Sequence, residues 1–181
     1  MAIFTSHQDK SNHLKIEKLY CQYRYLMYSE ANKTLHDHHL SEDAVQQSFI
    51  RIINNLHKID EIICPRTRNF VVIICRNVAL NMLNKRTYLN KNITDFNELE
   101  ISDDSLNEPL NILISKESVF RIGAVIEDMP PIYRDTLLLK ESYGYTNQEI
   151  ADLMGISYET AKKRLFRARK LLIQSLEEEV R

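Results

Sequence analysis

Apolar residues near the start of the chain recur at helical spacing. Ile16, Leu19, Tyr20, Tyr23, Leu26 and Met27 share one side, which predicts a helix from about Leu14 to Ala31. The polar run His36–Leu40 reads as a connection. Ser41 is an N-cap candidate, with Glu42 and Asp43 suited to the positive end of the helix dipole. Val45, Phe49, Ile52, Ile53 and Leu56 then form the buried stripe of a second helix. Pro65 breaks the chain. Thr67 is placed to cap a third helix whose buried line is Val71, Cys75, Val78 and Met82. Three such amphipathic helices can close a small core of their own. From Thr87 to about Leu110 the periodicity is lost, and the helical pattern returns over Ile112–Met129. Pro131 suits the first turn of the following helix and Gly144 its C′ position.

The sharpest local signal lies between Thr146 and Leu172. Thr146 and Glu149 have the spacing of a capping box. Ile150, Ala151, Leu153 and Met154 give a short helix an apolar side, Gly155 permits a tight turn, and Ser157 caps the next helix. On that last helix Ala161, Leu165, Ala168 and Leu172 lie on one line, and small Ala161 allows close helix approach. The opposite side carries Glu159, Lys162, Lys163, Phe166, Arg167 and Lys170. A basic surface run by itself is usually only a solvated face. Here cap, turn, small residue and basic face coincide at helix-turn-helix spacing, and long cations suit phosphates and guanine edges. Glu159 is the exception on this face. It could accept from a cytosine amino group or simply serve the helix dipole.

Composition supports helices: 181 residues contain only 3 Gly and 4 Pro, and 44% are apolar. The net charge of −1 is unpromising for a nucleic-acid binder until its distribution is considered. Residues 66–91 hold six bases and no acid, and residues 162–170 hold six more, again with no acid. Between them, residues 98–108 hold five acids and no base. The expected architecture is therefore all-α: a polar tail over 1–12, a helical domain over 13–86, a flexible acidic linker over 87–111 and a helix-turn-helix domain over 112–181. No apolar run approaches the roughly 18 residues of a membrane span, and the first dozen residues lack a signal-peptide core. Three scattered cysteines fit a reducing cytoplasm, with Cys21 and Cys75 serving as small apolar residues.

Two runs carry a family resemblance. Met129-Pro130-Pro131-Ile132-Tyr133-Arg134, Tyr145–Ala151, Gly155-Ile156-Ser157 and Thr160–Arg169 closely resemble region 4 of extracytoplasmic-function sigma factors of bacterial RNA polymerase. Asp43–Ile50 resembles region 2.2 of that family, and Phe70 through Arg76-Asn77 to Lys85-Arg86 resembles regions 2.3 and 2.4. The resemblance implies a protein that is not an enzyme and that binds core polymerase, at the largest-subunit clamp helices and the flap, to direct promoter recognition. It assigns polymerase binding to Asp43, Gln46, Gln47 and Ile50. It assigns the −10 region to Arg66, Arg68, Asn69, Phe70, Arg76, Asn77, Asn81, Lys85 and Arg86; Ile73, Leu80 and Asn84 lie on the same side of the third helix, where apolar side chains can lean on an unstacked base. A flipped base is expected in the loop at about Ile59–Arg66. The upstream (−35) element falls to Ser157, Thr160, Lys162, Lys163, Arg164, Phe166, Arg167 and Lys170. A further implied partner is an anti-sigma factor. The free chain is expected to be a monomer with no cofactor, metal or small-molecule substrate. Phe70 stands where the family often has Trp, Asn81 where it often has Asp, and Gln47 where Glu is common.

Two other classes compete. His36-Asp37-His38-His39 offers metal-ligating side chains, yet adjacent residues rarely converge on one ion and no ligand-spaced partner motif accompanies them. A polar connection is the expected role, and no phosphate loop or nucleophile elbow points to catalysis. An autonomous helix-turn-helix regulator would share the second half, but such proteins usually dimerise on paired half-sites and no heptad run is present.

Overall fold

The computed structural model describes residues 7–90 and 116–178, with side chains described over 12–87 and 120–177. All the regular structure among them is helical, and the chain divides into two compact units, residues 1–93 and 94–181.

The first unit holds α1 (His7–Leu35), α2 (His38–Asn54) and α3 (Pro65–Asn90), with a 3-10 turn at Leu56–Lys58. Leu19, Tyr23, Met27, Ala31 and Leu35 recur every fourth residue along α1 and are all buried, so one stripe of α1 faces its two neighbours. On α2 the packed face is Ser41, Ala44, Val45, Ser48, Phe49 and Ile52. Two of these are serines, and each satisfies its hydroxyl on its own helix: Ser48 donates to the Ala44 carbonyl (2.6 Å) and Ser41 to that of Asp37 (2.5 Å). Small, self-satisfied side chains let the helices approach closely. Lys15 donates to the carbonyls of Leu56 and Ile59, tying α1 to the turn after α2.

Several boundaries differ from the predicted ones. Residues 7–12, read as tail, belong to α1, and residues 1–6 lie outside the described residues. The N-cap of α2 is Asp37, whose carboxylate accepts from the Leu40 amide (3.0 Å), and Ser41 is instead a buried first-turn residue. The polar run His36–Leu40 thus belongs largely to α2. His36 sits in the left-handed region (φ 50°) and ends α1. Pro65 starts α3 rather than breaking the chain, since its missing N–H costs nothing in a first turn. Thr67 is buried in that turn with its hydroxyl donating to the Glu61 carbonyl (2.5 Å). At its far end α3 continues to Asn90, four residues into the segment read as linker, while the acidic run 98–108 lies outside the described residues.

The second unit contains α4 (Lys116–Asp128), α5 (Pro131–Glu141), α6 (Asn147–Met154) and α7 (Tyr158–Glu178). The predicted start of α4 at Ile112 lies outside the described residues. Val125, Met129, Leu137, Ala168 and Leu172 form one core cluster, so α4 and α5 both pack on α7. Arg169 pairs with Glu141 across α7 and α5 (2.9 Å). Gly144 has the left-handed backbone expected of it (φ 69°), one residue later than predicted, because Ser142 is the C-cap of α5.

Candidate nucleic-acid interface

The turn between α6 and α7 is built from local hydrogen bonds. The Thr146 hydroxyl accepts from the Glu149 amide (3.2 Å) and the Glu149 carboxylate accepts from the Thr146 amide (2.7 Å), completing the capping box. Gly155 ends α6 in the left-handed region (φ 67°), where a side chain would be strained. Ser157 caps α7 by accepting from the Thr160 amide (3.1 Å), and its hydroxyl also meets that of Thr160 (2.8 Å). Ile150, Ala151, Leu153 and Met154 are buried on one side of the turn, and Ala161, Leu165, Ala168 and Leu172 on the other. That fixes which way α7 turns its remaining face. Ser157, Glu159, Lys162, Lys163 and Lys170 are exposed, while Thr160, Arg164, Phe166 and Arg167 are half-buried. Arg167 also reaches back to donate to the Tyr133 hydroxyl (3.5 Å), so part of its fork is held by the protein.

The four residues that the family resemblance assigned to polymerase lie together on one exposed surface. Asp43, Gln46, Gln47 and Ile50 are all exposed on α2, opposite the face packed on α1 and α3. Ile53, predicted to be buried, joins them with 40% of its surface exposed beside 61% for Ile50. The buried stripe turns from Phe49 to Ile52 and Leu56 and leaves Ile53 on its flank. Tyr20 of α1 packs edge-on against Phe49 (5.0 Å between rings) and is partly exposed next to this surface.

The third predicted set is divided. Arg66, Arg68 and Asn69 at the start of α3, and Lys85 and Arg86 near its end, are exposed. Phe70 (2% exposed) and Asn77 (3%) are in the core, as is Ile73. Asn77 donates to the Ile73 carbonyl (2.9 Å). Arg76 is half-buried in an ion pair with Glu30 of α1 (2.7 Å). Asn81 and Leu80 are intermediate. The reason is that α3 packs against both α1 and α2. Its middle is enclosed on more than one side, and a one-sided amphipathic reading fails for such a helix. Phe70 and Asn77 are therefore corrected from surface contacts to packing residues. Met82, expected in the buried line, is only half-buried.

A groove of about 600 Å³ opens at the start of α3, bordered by Gln22, Tyr23, Ile63, Cys64, Arg68 and Asn69. It joins the 59–66 loop to the exposed N-terminal residues of α3, and α1 forms its other wall, a long-range contact with no local signature. The Tyr23 hydroxyl donates to the Ile62 carbonyl (2.6 Å), and burial raises its pKa above the ordinary phenol value. Cys64 accepts from the Thr67 amide (3.4 Å) at the helix N-terminus, and its hydrogen bonding to Thr67 lowers the thiol pKa.

His36-Asp37-His38-His39 forms the α1–α2 junction. Asp37 caps α2 and lies 3.8 Å from Arg86, and His38 Nδ1 meets the Tyr28 hydroxyl (2.8 Å). Among the described residues no group of three or more His, Cys, Asp or Glu side chains is arranged to hold a metal ion, and no helix is long and apolar enough to cross a membrane.

Comparison with known proteins places the two units in one family. Residues 19–88 match Sigma-70 region 2, and residues 120–172 match Sigma-70, region 4. RNA polymerase sigma factor SigZ of Bacillus subtilis is 29% identical over 170 residues, covering 91% of this chain and 88% of its own length. The ECF sigma factor SigX of the same organism is 25% identical, covering 88% of this chain and 82% of its own. A solved structure of the sigma factor RpoE with the anti-sigma factor NepR from Bartonella quintana is 16% identical with a TM-score of 0.35, covering 87% of this chain and 94% of that one. Both matched regions occur here in the same order as the two helical units, and the chain belongs to the sigma-70 family as an extracytoplasmic-function sigma factor, an alternative factor that directs promoter recognition for transcription initiation.

Proposed function

We propose that the outward face of α7 reads the upstream promoter element in the major groove, with Lys163 and Arg167 at base edges and Lys162 and Lys170 on phosphates. The observation that carries this is the division of α7: Ala161, Leu165, Ala168 and Leu172 are buried while Lys162, Lys163 and Lys170 are exposed. Ser157, Thr160, Arg164 and Phe166 support the same contact. The −10 region is engaged by Arg66, Arg68 and Asn69 beside the groove, which accepts an unstacked base, and by Lys85 and Arg86 on backbone phosphates. The exposed α2 surface of Asp43, Gln46, Gln47 and Ile50 docks on the largest subunit of core RNA polymerase, with Ile53 added to it. An anti-sigma factor is the regulatory partner in this reading, and the chain performs no catalysis of its own.

Transcription by purified core polymerase over a genomic fragment library, with and without this protein, is the test. New start sites sharing an upstream and a −10 element are expected only when the protein is present. Lys163→Ala and Arg167→Ala should each relax the preference at one upstream position, at a cost of about 1–3 kcal/mol per lost base contact. The absence of protein-dependent starts would overturn the assignment.

A further inference from the structure

A side chain of α5 reaches across to a cation of α7. The Tyr133 hydroxyl accepts from Nη1 of Arg167 at 3.5 Å, across 34 residues of chain. Tyr133 is fixed at its base. Pro130 is the N-cap of α5 with Pro131 after it, and the Pro130 carbonyl accepts from the Tyr133 amide (3.0 Å) and the Arg134 amide (3.1 Å). Arg134 also donates to the Glu127 carbonyl (2.9 Å), which ties this turn to the end of α4. The Tyr133 ring packs against the core cluster that includes Met129, Leu137 and Ala168, so its hydroxyl has a defined place beside α7. Arg167 lies on the flank of the buried line, next to Ala168 and four residues after exposed Lys163. A long arginine side chain gives up rotamer freedom when it binds, and that loss subtracts from affinity unless the side chain is already oriented. The guanidinium is a rigid planar fork, so a contact at one nitrogen directs the whole plane. At 3.5 Å the bond is at the long end of its range. It favours one direction and yields to a stronger acceptor such as a phosphate oxygen or a guanine edge. The apolar cluster and the Arg169–Glu141 pair (2.9 Å) already hold α5 on α7. What the hydroxyl adds is aim.

We infer that Tyr133 is a positioning residue for promoter recognition: its hydroxyl holds the Arg167 guanidinium in the orientation in which α7 presents it to the upstream element. This rests on the assignment of α7 and Arg167 to that element, and extends the recognising surface to a residue of α5 that acts through Arg167. Tyr133→Phe keeps the ring and its packing and removes only the hydroxyl, so it separates aim from folding.

The experiment is selection of promoters from a pool randomised over the upstream element, using core polymerase with wild-type, Tyr133→Phe, Arg167→Ala or doubly substituted protein, with thermal melts of each. Arg167→Ala is expected to flatten the preference at one position. Tyr133→Phe should weaken the preference at that same position by about threefold, the scale of one weak hydrogen bond, and leave melting and the other positions unchanged. In the Arg167→Ala background Tyr133→Phe should add nothing, because a positioning residue has no effect once the group it positions is gone. Wild-type selection by Tyr133→Phe would overturn the inference. So would an effect of Tyr133→Phe that persists without Arg167, or an equal fall at every position together with lowered melting, which marks a purely structural role. An effect of Arg167→Ala that Tyr133→Phe does not share defeats this inference alone. No effect of Arg167→Ala defeats the reading of Arg167 as well, so the two failures are distinguishable.

Discussion

Arg76 shows how the setting of a side chain overrules its chemistry. Its position on α3 marked it for DNA, yet its guanidinium lies 2.7 Å from Glu30 and joins α1 to α3. Glu30 also pairs with Lys33 (3.1 Å). Burial pushes the Glu30 pKa up, and the hydrogen bonds and charges of Arg76 and Lys33 outweigh it, so the net shift is downward. A depressed folded pKa contributes stability that is present above the unfolded value and lost as pH falls through the folded one. Glu30→Gln is therefore expected to cost about 1–3 kcal/mol at neutral pH, the scale of a charged hydrogen bond left without its partner. The difference from wild type should shrink below about pH 4, near the ordinary carboxylate value. Urea melts of both proteins at two pH values check this, and a difference independent of pH would remove the ion pair from the explanation. The cysteines offer a second measurement. Cys75 is buried with its thiol pushed up to about 11 by desolvation, Cys21 is exposed, and Cys64 has a lowered pKa. Alkylation near neutral pH is expected to modify Cys64 first and Cys21 next, with Cys75 protected until unfolding. Mass spectrometry of the time course gives the order.

At the scale of elements, what could be read from sequence depended on how local the deciding interactions were. The α6–α7 turn was legible because Thr146, Glu149, Gly155 and Ser157 act within a few residues of one another. Thr146→Ala is expected to lower the stability of the second unit by about 1 kcal/mol, the usual value of a capping side chain. Gly155→Ala should cost a similar amount, about 1–2 kcal/mol, through its left-handed backbone. Thermal melts read both, and unchanged melting would show that the turn is held by its packing instead. The start of α2 was not legible, because Asp37 and Ser41 are both good caps and the choice between them depends on where α1 ends. The middle of α3 was not legible either, since the burial of Phe70, Ile73 and Asn77 requires knowing that two helices enclose it. The exposed face of α2 was anticipated in four of its residues and missed at Ile53, which an apolar count assigns to the core. Replacing Asp43 and Gln46 together with Ala should leave the melting curve within about 0.5 kcal/mol, as surface changes do, and weaken capture by core polymerase. Undiminished capture would show that polymerase binds elsewhere.

At the scale of the whole molecule, the proposed function depends on two weak DNA-binding surfaces acting together. The first offers Arg66, Arg68, Lys85 and Arg86 as exposed cations, and the second Lys162, Lys163 and Lys170. Each can neutralise only a few phosphates, and a single small module with few such contacts binds weakly at physiological salt. In this proposal Glu159 subtracts from the second surface, and the five acids of residues 98–108 oppose the approach of DNA to both surfaces. Joining two modules raises avidity only when the span between them matches the spacing of the two sites. In this proposal core polymerase sets that spacing and supplies protein contacts to the chain between the modules, so the ordering cost does not fall on DNA binding alone. The free protein is accordingly expected to bind a mapped promoter with a Kd weaker than about 1 µM near physiological salt, in the range of non-specific association, and to show little preference over scrambled DNA. Adding core enzyme should bring binding into the nanomolar range with strong discrimination. Fluorescence anisotropy on promoter and scrambled duplexes, with and without core enzyme, makes the comparison. Nanomolar, sequence-specific binding by the free chain would show that the two surfaces need no polymerase to align them.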